Sequence, residues 1–575
     1  MLGSFFIAYM ILKGKRAVPG IAVGSIYIYN KEFNIPAESF ILTGQEKSHL
    51  EQYNLVKKQA LDELEEIRLS VEKIDIRKAE IFTAQKEIVE DIIINEEIPA
   101  KILNDKWSGD WAIYQVYETV LCVLRNTQDP LISERAADFD DVRGLLLRLW
   151  YGEKTQGLSD LKEPVIIAAR ELMPSDTAGL SSGKVLAIIT ERGGGTSHAA
   201  IIAKSYGIPA VSGLDALLSY IKQGQLAAVD AEEGTVILDP DEDVIREYNK
   251  KRELFFKEKS ETQTFLHGRG CTACGVKIDI ALNITSASDD ELKASCYTDS
   301  VGVFRTEFIY MNRSALPAED EQFEIYKKVL ECFKERPVIL RTLDIGGDKK
   351  LSCMELPRED NPFLGIRALR FCFSRPDIFK TQIRAALRAS FYGNLWLMLP
   401  MVSSLDDIHK AKKIISDTQE ELEKEGKPLG RFKTGIMVEI PSIALIAQIV
   451  AREVDFASIG SNDLCQYLCA ADRMNSAAEP YYQSLHPAML RLIKDTVADF
   501  TDAGKPISIC GELGSDTKAV PLLIGLGLRK FSMEARSVAA VKRVIAGVTI
   551  EKAQELAKKA LELKTAGEIE KFLSE

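Results

Sequence analysis

Gly193-Gly194-Gly195-Thr196-Ser197-His198-Ala199-Ala200 follows an apolar, strand-like run from Lys184 to Thr190 and opens a second apolar run, helical in pattern, from Ala199 to Ala203. A strand that turns through glycines into a helix defines a β/α module. It also leaves the first helical N–H groups unpaired and facing the loop, where they favour an anion. Glycine lets the backbone approach a phosphate closely, and Thr196 and Ser197 add hydroxyl donors. An imidazole in such a cradle reads as one that itself carries a phosphoryl group. The chain has five histidines, His49, His198, His267, His409 and His486, and of these His198 has the Gly/Ser/Thr setting. The plainer reading of so short a motif is a capped helix beside a structural histidine, so the rest of the chain must decide.

A chain of 575 residues requires several domains, three or four by ordinary domain sizes. Its composition, 46% hydrophobic and 27% charged, is that of a globular protein. The net charge of −12 disfavours nucleic acid and anionic membrane surfaces and fits a small basic protein partner. Ten cysteines are scattered without a framework; Cys271 and Cys274 form a single CxxC with no second pair or nearby histidine. Free thiols of this kind point to a reducing cytoplasm. The apolar start, 1–12, is too short to span a bilayer, and its charges, Lys13, Lys15 and Arg16, follow the apolar part, contrary to a signal peptide. Met10 reads as the natural start.

Ala17 to Tyr29 reads as a glycine-punctuated strand pair. From Gln45 to Trp150 the sequence is helical in pattern, poor in glycine and rich in i,i+4 charges. Strands and short helices alternate from Pro164 to Leu238, so the helical block looks like an insertion into a β/α unit that the early strands complete. A charged run without glycine, from Asp241 to Lys259, reads as a linker helix. Beyond Gly268 eight strand candidates appear, each followed by helix: Lys277–Ile284, Val301–Arg305, Pro337–Asp344, Leu395–Pro400, Thr434–Ile440, Phe456–Gly460, Ile507–Gly511 and Lys530–Met533. Eight βα units predict a TIM barrel, whose active site lies at the carboxyl ends of the strands. There the sequence places Arg305, Arg341, Glu439, Asn462, Asp463, Arg473 and Cys510. Any one of them could be a structural ion pair, but arginines, carboxylates and a thiol on one rim converge on chemistry. Guanidinium forks match carboxylate and phosphoryl oxygens, and two carboxylates offer hard oxygen ligands to Mg²⁺.

These motifs, with Pro19-Gly20-Ile21-Ala22, make the chain from about Arg16 onward resemble the Enzyme I family of the bacterial phosphoenolpyruvate (PEP)-dependent sugar phosphotransferase system. That family shares its phosphohistidine and PEP-binding domains with PEP synthase and pyruvate phosphate dikinase. The resemblance implies a phosphohistidine domain over 1–40 and 155–240, an inserted helical subdomain over 41–154 that docks the carrier HPr, a linker helix over 241–267, and a PEP-binding, dimer-forming barrel over 268–575. It implies that His198 is the phosphoryl acceptor. Arg305, Arg341, Asn462, Asp463 and Arg473 would bind PEP, Glu439 and Asp463 would hold Mg²⁺, Cys510 would protonate the enolate, and Arg367 would be a second-tier phosphate contact. The activity implied is PEP-protein phosphotransfer in the cytoplasm, with domain movement about the linker. A dikinase would need an ATP-grasp domain, and 1–193 shows no glycine-rich ATP cradle; a regulatory paralogue is the other alternative. Two positions depart from the family pattern: Gly195 stands where a long or basic residue is usual, and Val18 where serine is.

Overall fold

The computed structural model describes residues 9–29, 35–72, 76–125, 130–152, 158, 161, 163–172, 183–193, 200, 203–204, 206–311, 313, 315–347, 353–354, 359–475 and 477–574. The chain divides into two compact units, 1–258 and 259–575. The division falls inside a long charged helix, Glu242–Thr264, where the sequence pattern places a linker. Among the described residues no helix is long and apolar enough to cross a membrane.

The first unit combines a sheet and a helical bundle. The sheet has eight strands: β1 (Met10–Lys13), β2 (Lys15–Val18), β3 (Ile21–Tyr29), β4 (Val165–Ala169), β5 (Val185–Thr190), β6 (Ala210–Ser212), β7 (Leu226–Asp230) and β8 (Thr235–Leu238), in the order β1-β8-β7-β3-β4-β5-β6-β2. β3 pairs in parallel with β4, Ser25 opposite Val165, although the whole bundle lies between them in sequence. The bundle is therefore an insertion. β2 and β3 are not a hairpin: β2 pairs with β6 and β3 with β7 and β4. β1, absent from the sequence reading, pairs antiparallel with β8. The bundle comprises α1 (Glu46–Glu72), α2 (Ile76–Val89), α3 (Ile92–Leu103), α4 (Gly109–Arg125) and α5 (Pro130–Trp150). Its core is built from residues one turn apart, Tyr53, Val56, Ala60 and Leu64 on α1 and Ile94, Ile98 and Ile102 on α3, the stripe that drives amphipathic helices together.

The second unit is a closed barrel of eight parallel strands: β9 (Asp279–Ile284), β10 (Ser300–Arg305), β11 (Val338–Arg341), β12 (Leu395–Leu399), β13 (Phe432–Val438), β14 (Ala457–Gly460), β15 (Ile507–Cys510) and β16 (Lys530–Met533). β16 closes on β9, with Phe531 opposite Ile280. Side chains alternate along each strand. Leu340, Leu397, Ile436 and Ile459 join the shell beneath the helices, while Ile339, Trp396, Met398, Met437, Phe456 and Cys510 form a separate cluster in the lumen. β11 is shorter than its apolar run. Pro337 has no N–H to give to a ladder, and Thr342–Asp344 turn away to form the rim.

Candidate active site

The carboxyl mouth of the barrel holds a chain of ion pairs. Arg341, the last residue of β11, is 6% exposed. Its Nη2 donates to Glu307 Oε1 at 2.5 Å and lies 3.0 Å from Asp344 Oδ2. Among the described residues Nη1 meets only the thioether of Met437, at 3.8 Å, and Nε, also buried, has no hydrogen-bond acceptor. Burial opposes its charge, but Glu307, Asp344 and Glu439 outweigh that and hold the guanidinium firmly protonated. Arg367, 1% exposed, is saturated instead. Nε and Nη2 donate to Asp344 at 2.9 and 3.1 Å, Nη1 and Nη2 to Asp463 at 3.0 and 3.3 Å, and Nη1 also to the Tyr467 hydroxyl at 3.4 Å. The backbone is shaped to allow this. A Cβ on Gly346 (φ +106°) would lie 2.6 Å from the Ile366 carbonyl, and Ala368, directly after Arg367, is held at φ +52°, ψ −117°, a conformation costly for any residue with a side chain.

Glu439 follows β13 and is 1% exposed. Its Oε1 accepts the Met401 N–H at 2.6 Å, and Met401 adopts φ +54° to present that N–H. Oε2 is buried and has no donor among the described residues. Burial, reinforced by Asp463 and Asp344, pushes the carboxyl up to about 8. Asp463 moves the opposite way: burial would raise it, but Arg367 and Arg473 hold it below the usual carboxylate range. A buried carboxylate oxygen with no donor, beside an ionised aspartate, suits a hard divalent cation.

The Glu439 shift makes a prediction. The folded protein retains a proton that the unfolded chain releases, so metal-free stability falls as pH rises from about 4.5 through about 8, with a slope of up to about 1.4 kcal/mol per pH unit. Lys530, at the amino end of β16, is lowered to about 8 by burial and acts in the opposite sense only above that pH. Thermal unfolding of the barrel in chelator between pH 5 and 8 should show the slope, and Glu439→Gln should flatten it. Parallel curves for the two proteins would refute the assignment.

Cys510 ends β15, 5% exposed, with Sγ donating to the Ile459 carbonyl at 3.3 Å. Burial raises its thiol, with Ser458, Arg341 and Arg305 opposing, so it stays protonated. Ser461 Oγ donates to the Cys510 carbonyl at 2.8 Å, and the Glu512 N–H donates to Asn462 Oδ1 at 3.0 Å. These bonds stitch the ends of β14 and β15 together. The approach demands glycine at 511, where φ is +90° and a Cβ would lie 2.3 Å from Ser461 Oγ. Tyr482 donates to the Asn462 carbonyl at 3.2 Å. Half-buried Arg305 ends β10, and half-buried Arg473 comes within 3.9 Å of Asp463. Eight of the nine site residues expected from sequence, Arg367 among them, therefore occupy one rim. His198 lies outside the described residues.

Sequence reasoning passed over Glu307, Asp344, Met401 and Tyr467. The first two carried a signal: each is an acid two or three positions after a strand-ending arginine. Met401 contributes through a backbone N–H and left none.

Three family models cover most of the chain: the N-terminal domain of PEP-utilising enzymes matches 13–135, their mobile domain 161–234, and their PEP-binding domain 259–550. The chain belongs to the PEP-utilising enzyme family. Among its relatives, the phosphoenolpyruvate-protein phosphotransferase of Staphylococcus carnosus is 39% identical over 98% of both chains. That of Geobacillus stearothermophilus is 38% identical over 98% of this chain and 97% of its own. An NMR solution structure of Enzyme I is 36% identical, spanning 42% of this chain and 99% of that one with a TM-score of 0.39.

Proposed function

We propose that this protein is a cytoplasmic transferase that moves the phosphoryl group of PEP to its own His198 and then to a histidine of HPr, releasing pyruvate, as the first step of sugar uptake by the phosphotransferase system. One observation carries the reading. Among the described residues the barrel mouth holds a buried cation with unfilled donors, Arg341, near a buried carboxylate with an unfilled acceptor, Glu439. Such a site calls for an anion and a divalent cation together, as a phosphorylated carboxylic acid with Mg²⁺ would supply.

Glu439 and Asp463 would hold the Mg²⁺, which when bound neutralises phosphoryl charge. Arg341 and Arg305 grip carboxylate and phosphoryl oxygens, with Asn462 and Arg473 completing the grip. Neutral His198 attacks phosphorus in line as the bond to the enolate oxygen breaks; positioning and electrostatics supply the acceleration. Cys510, kept as a thiol by burial, gives its proton to the enolate carbon. The helical bundle would receive HPr, and the barrel would pair two copies of the chain.

Protein incubated with phosphorus-labelled PEP and Mg²⁺ should acquire acid-labile, base-stable label that added HPr removes. A chain that stays unlabelled while PEP remains intact would overturn the proposal. Cys510→Ala should slow pyruvate formation by about 10²-fold, the ordinary share of a general acid, and leave PEP affinity within about threefold, since the thiol contributes no charge to the grip; stopped-flow assay and calorimetry would read the two effects separately.

A further inference from the structure

We infer that Asp344 is a positioning residue that stands in for the substrate: it holds Arg341 and Arg367 in place while no phosphorylated carboxylate is bound, and yields donors to one that arrives. The inference rests on the reading of the barrel mouth as a PEP site and concerns how that site is kept ready.

Asp344 is 1% exposed and lies between two buried guanidiniums. Oδ1 accepts from Arg367 Nε at 2.9 Å; Oδ2 accepts from Arg367 Nη2 at 3.1 Å and lies 3.0 Å from Arg341 Nη2. Neither arginine can shed its charge, so an empty site without Asp344 would place two cations against each other; Arg367 already opposes the charge on Arg341. The pairing with Arg367 is the two-pronged fork that a phosphate or carboxylate would also offer. Among the described residues Arg341 engages carboxylates through Nη2 alone, which leaves Nε and Nη1 to an incoming anion. Asp344 thus neutralises part of the positive charge that the substrate must meet, and it competes with an arriving anion for Arg341 Nη2 and for its fork on Arg367. Glu307, on the other side of Arg341 Nη2, is the second internal competitor.

Competition gives an unusual signature. Removing an internal anion should strengthen the binding of external ones, while the arginines lose the restraint that aims them. Asp344→Asn should bind inorganic phosphate about tenfold more tightly, the effect of roughly one partly screened charge pair. It should lower kcat with PEP by about 10²-fold, the usual cost of misplaced positioning groups, with KM unchanged or reduced. Asp344→Glu should recover much of kcat. Glu307→Gln tests the same exchange at Arg341 alone, should Asp344→Asn fail to fold. Phosphate binding is read by calorimetry on the full-length protein, and turnover by pyruvate release. If phosphate binding and kcat weaken together, or neither changes, Asp344 has no such role. Absence of PEP turnover in the unaltered protein would overturn the functional reading itself, and the phosphate measurement would still decide for or against the exchange.

Discussion

On the proposed reading a His198→Ala chain should take up no phosphoryl label from PEP, a fall of at least about 10⁴-fold of the kind that follows removal of a nucleophile. No other imidazole is placed to substitute. His49 accepts the Gly109 N–H through Nδ1 and lies against Trp150, 5.7 Å between ring centres. His486 Nδ1 caps a helix by accepting the Ala488 N–H. His267 meets Tyr297 edge-on, and His409 lies 3.3 Å from Glu453 on the outer helices of the barrel. The alanine variant should bind PEP as well as the parent chain does, because the barrel rim is untouched; calorimetry with PEP and Mg²⁺ checks this. Label at wild-type level on the variant would show that the acceptor lies elsewhere.

Arg367→Met is expected to destabilise the barrel by about 3–5 kcal/mol near neutral pH, the loss that follows when a buried ion pair is broken from one side. The methionine leaves Asp344 and Asp463 buried without the guanidinium that serves them both. The pH dependence separates this from a packing defect. Without Arg367 both aspartates should bind protons more readily, so the deficit shrinks on acidification from pH 7 to 5, whereas lost packing would cost the same at either pH. Denaturant unfolding at the two pH values measures the difference, and a deficit below 1 kcal/mol at pH 7 would show that the four contacts are not holding the rim.

The barrel was legible because its strands are short apolar runs at regular spacing, and several are closed by a charged residue, Arg305 and Arg341 at the ends of β10 and β11 and Glu439 directly after β13. The bundle was legible as helix from its scarcity of glycine and its i,i+4 charges. The order of strands in the first unit was not, since β1 and β8 are more than 200 residues apart and their pairing leaves no local trace. The electrostatics of the site were only half visible. Which residues are charged is written in the sequence, but that Arg367 is fully engaged while Arg341 keeps donors open depends on distances across the rim. The backbone N–H of Met401 shows the same limit, because every residue but proline offers one.

Ala368 offers an engineering lesson. Its backbone sits in a conformational region that glycine enters freely, at a standing cost of about 1–3 kcal/mol. Putting glycine there should yield a hardier molecule at high temperature, yet one whose neighbouring guanidinium wanders more and discriminates less sharply among phosphorylated acids. The tension between robustness and selectivity is thus concentrated at a single methyl group.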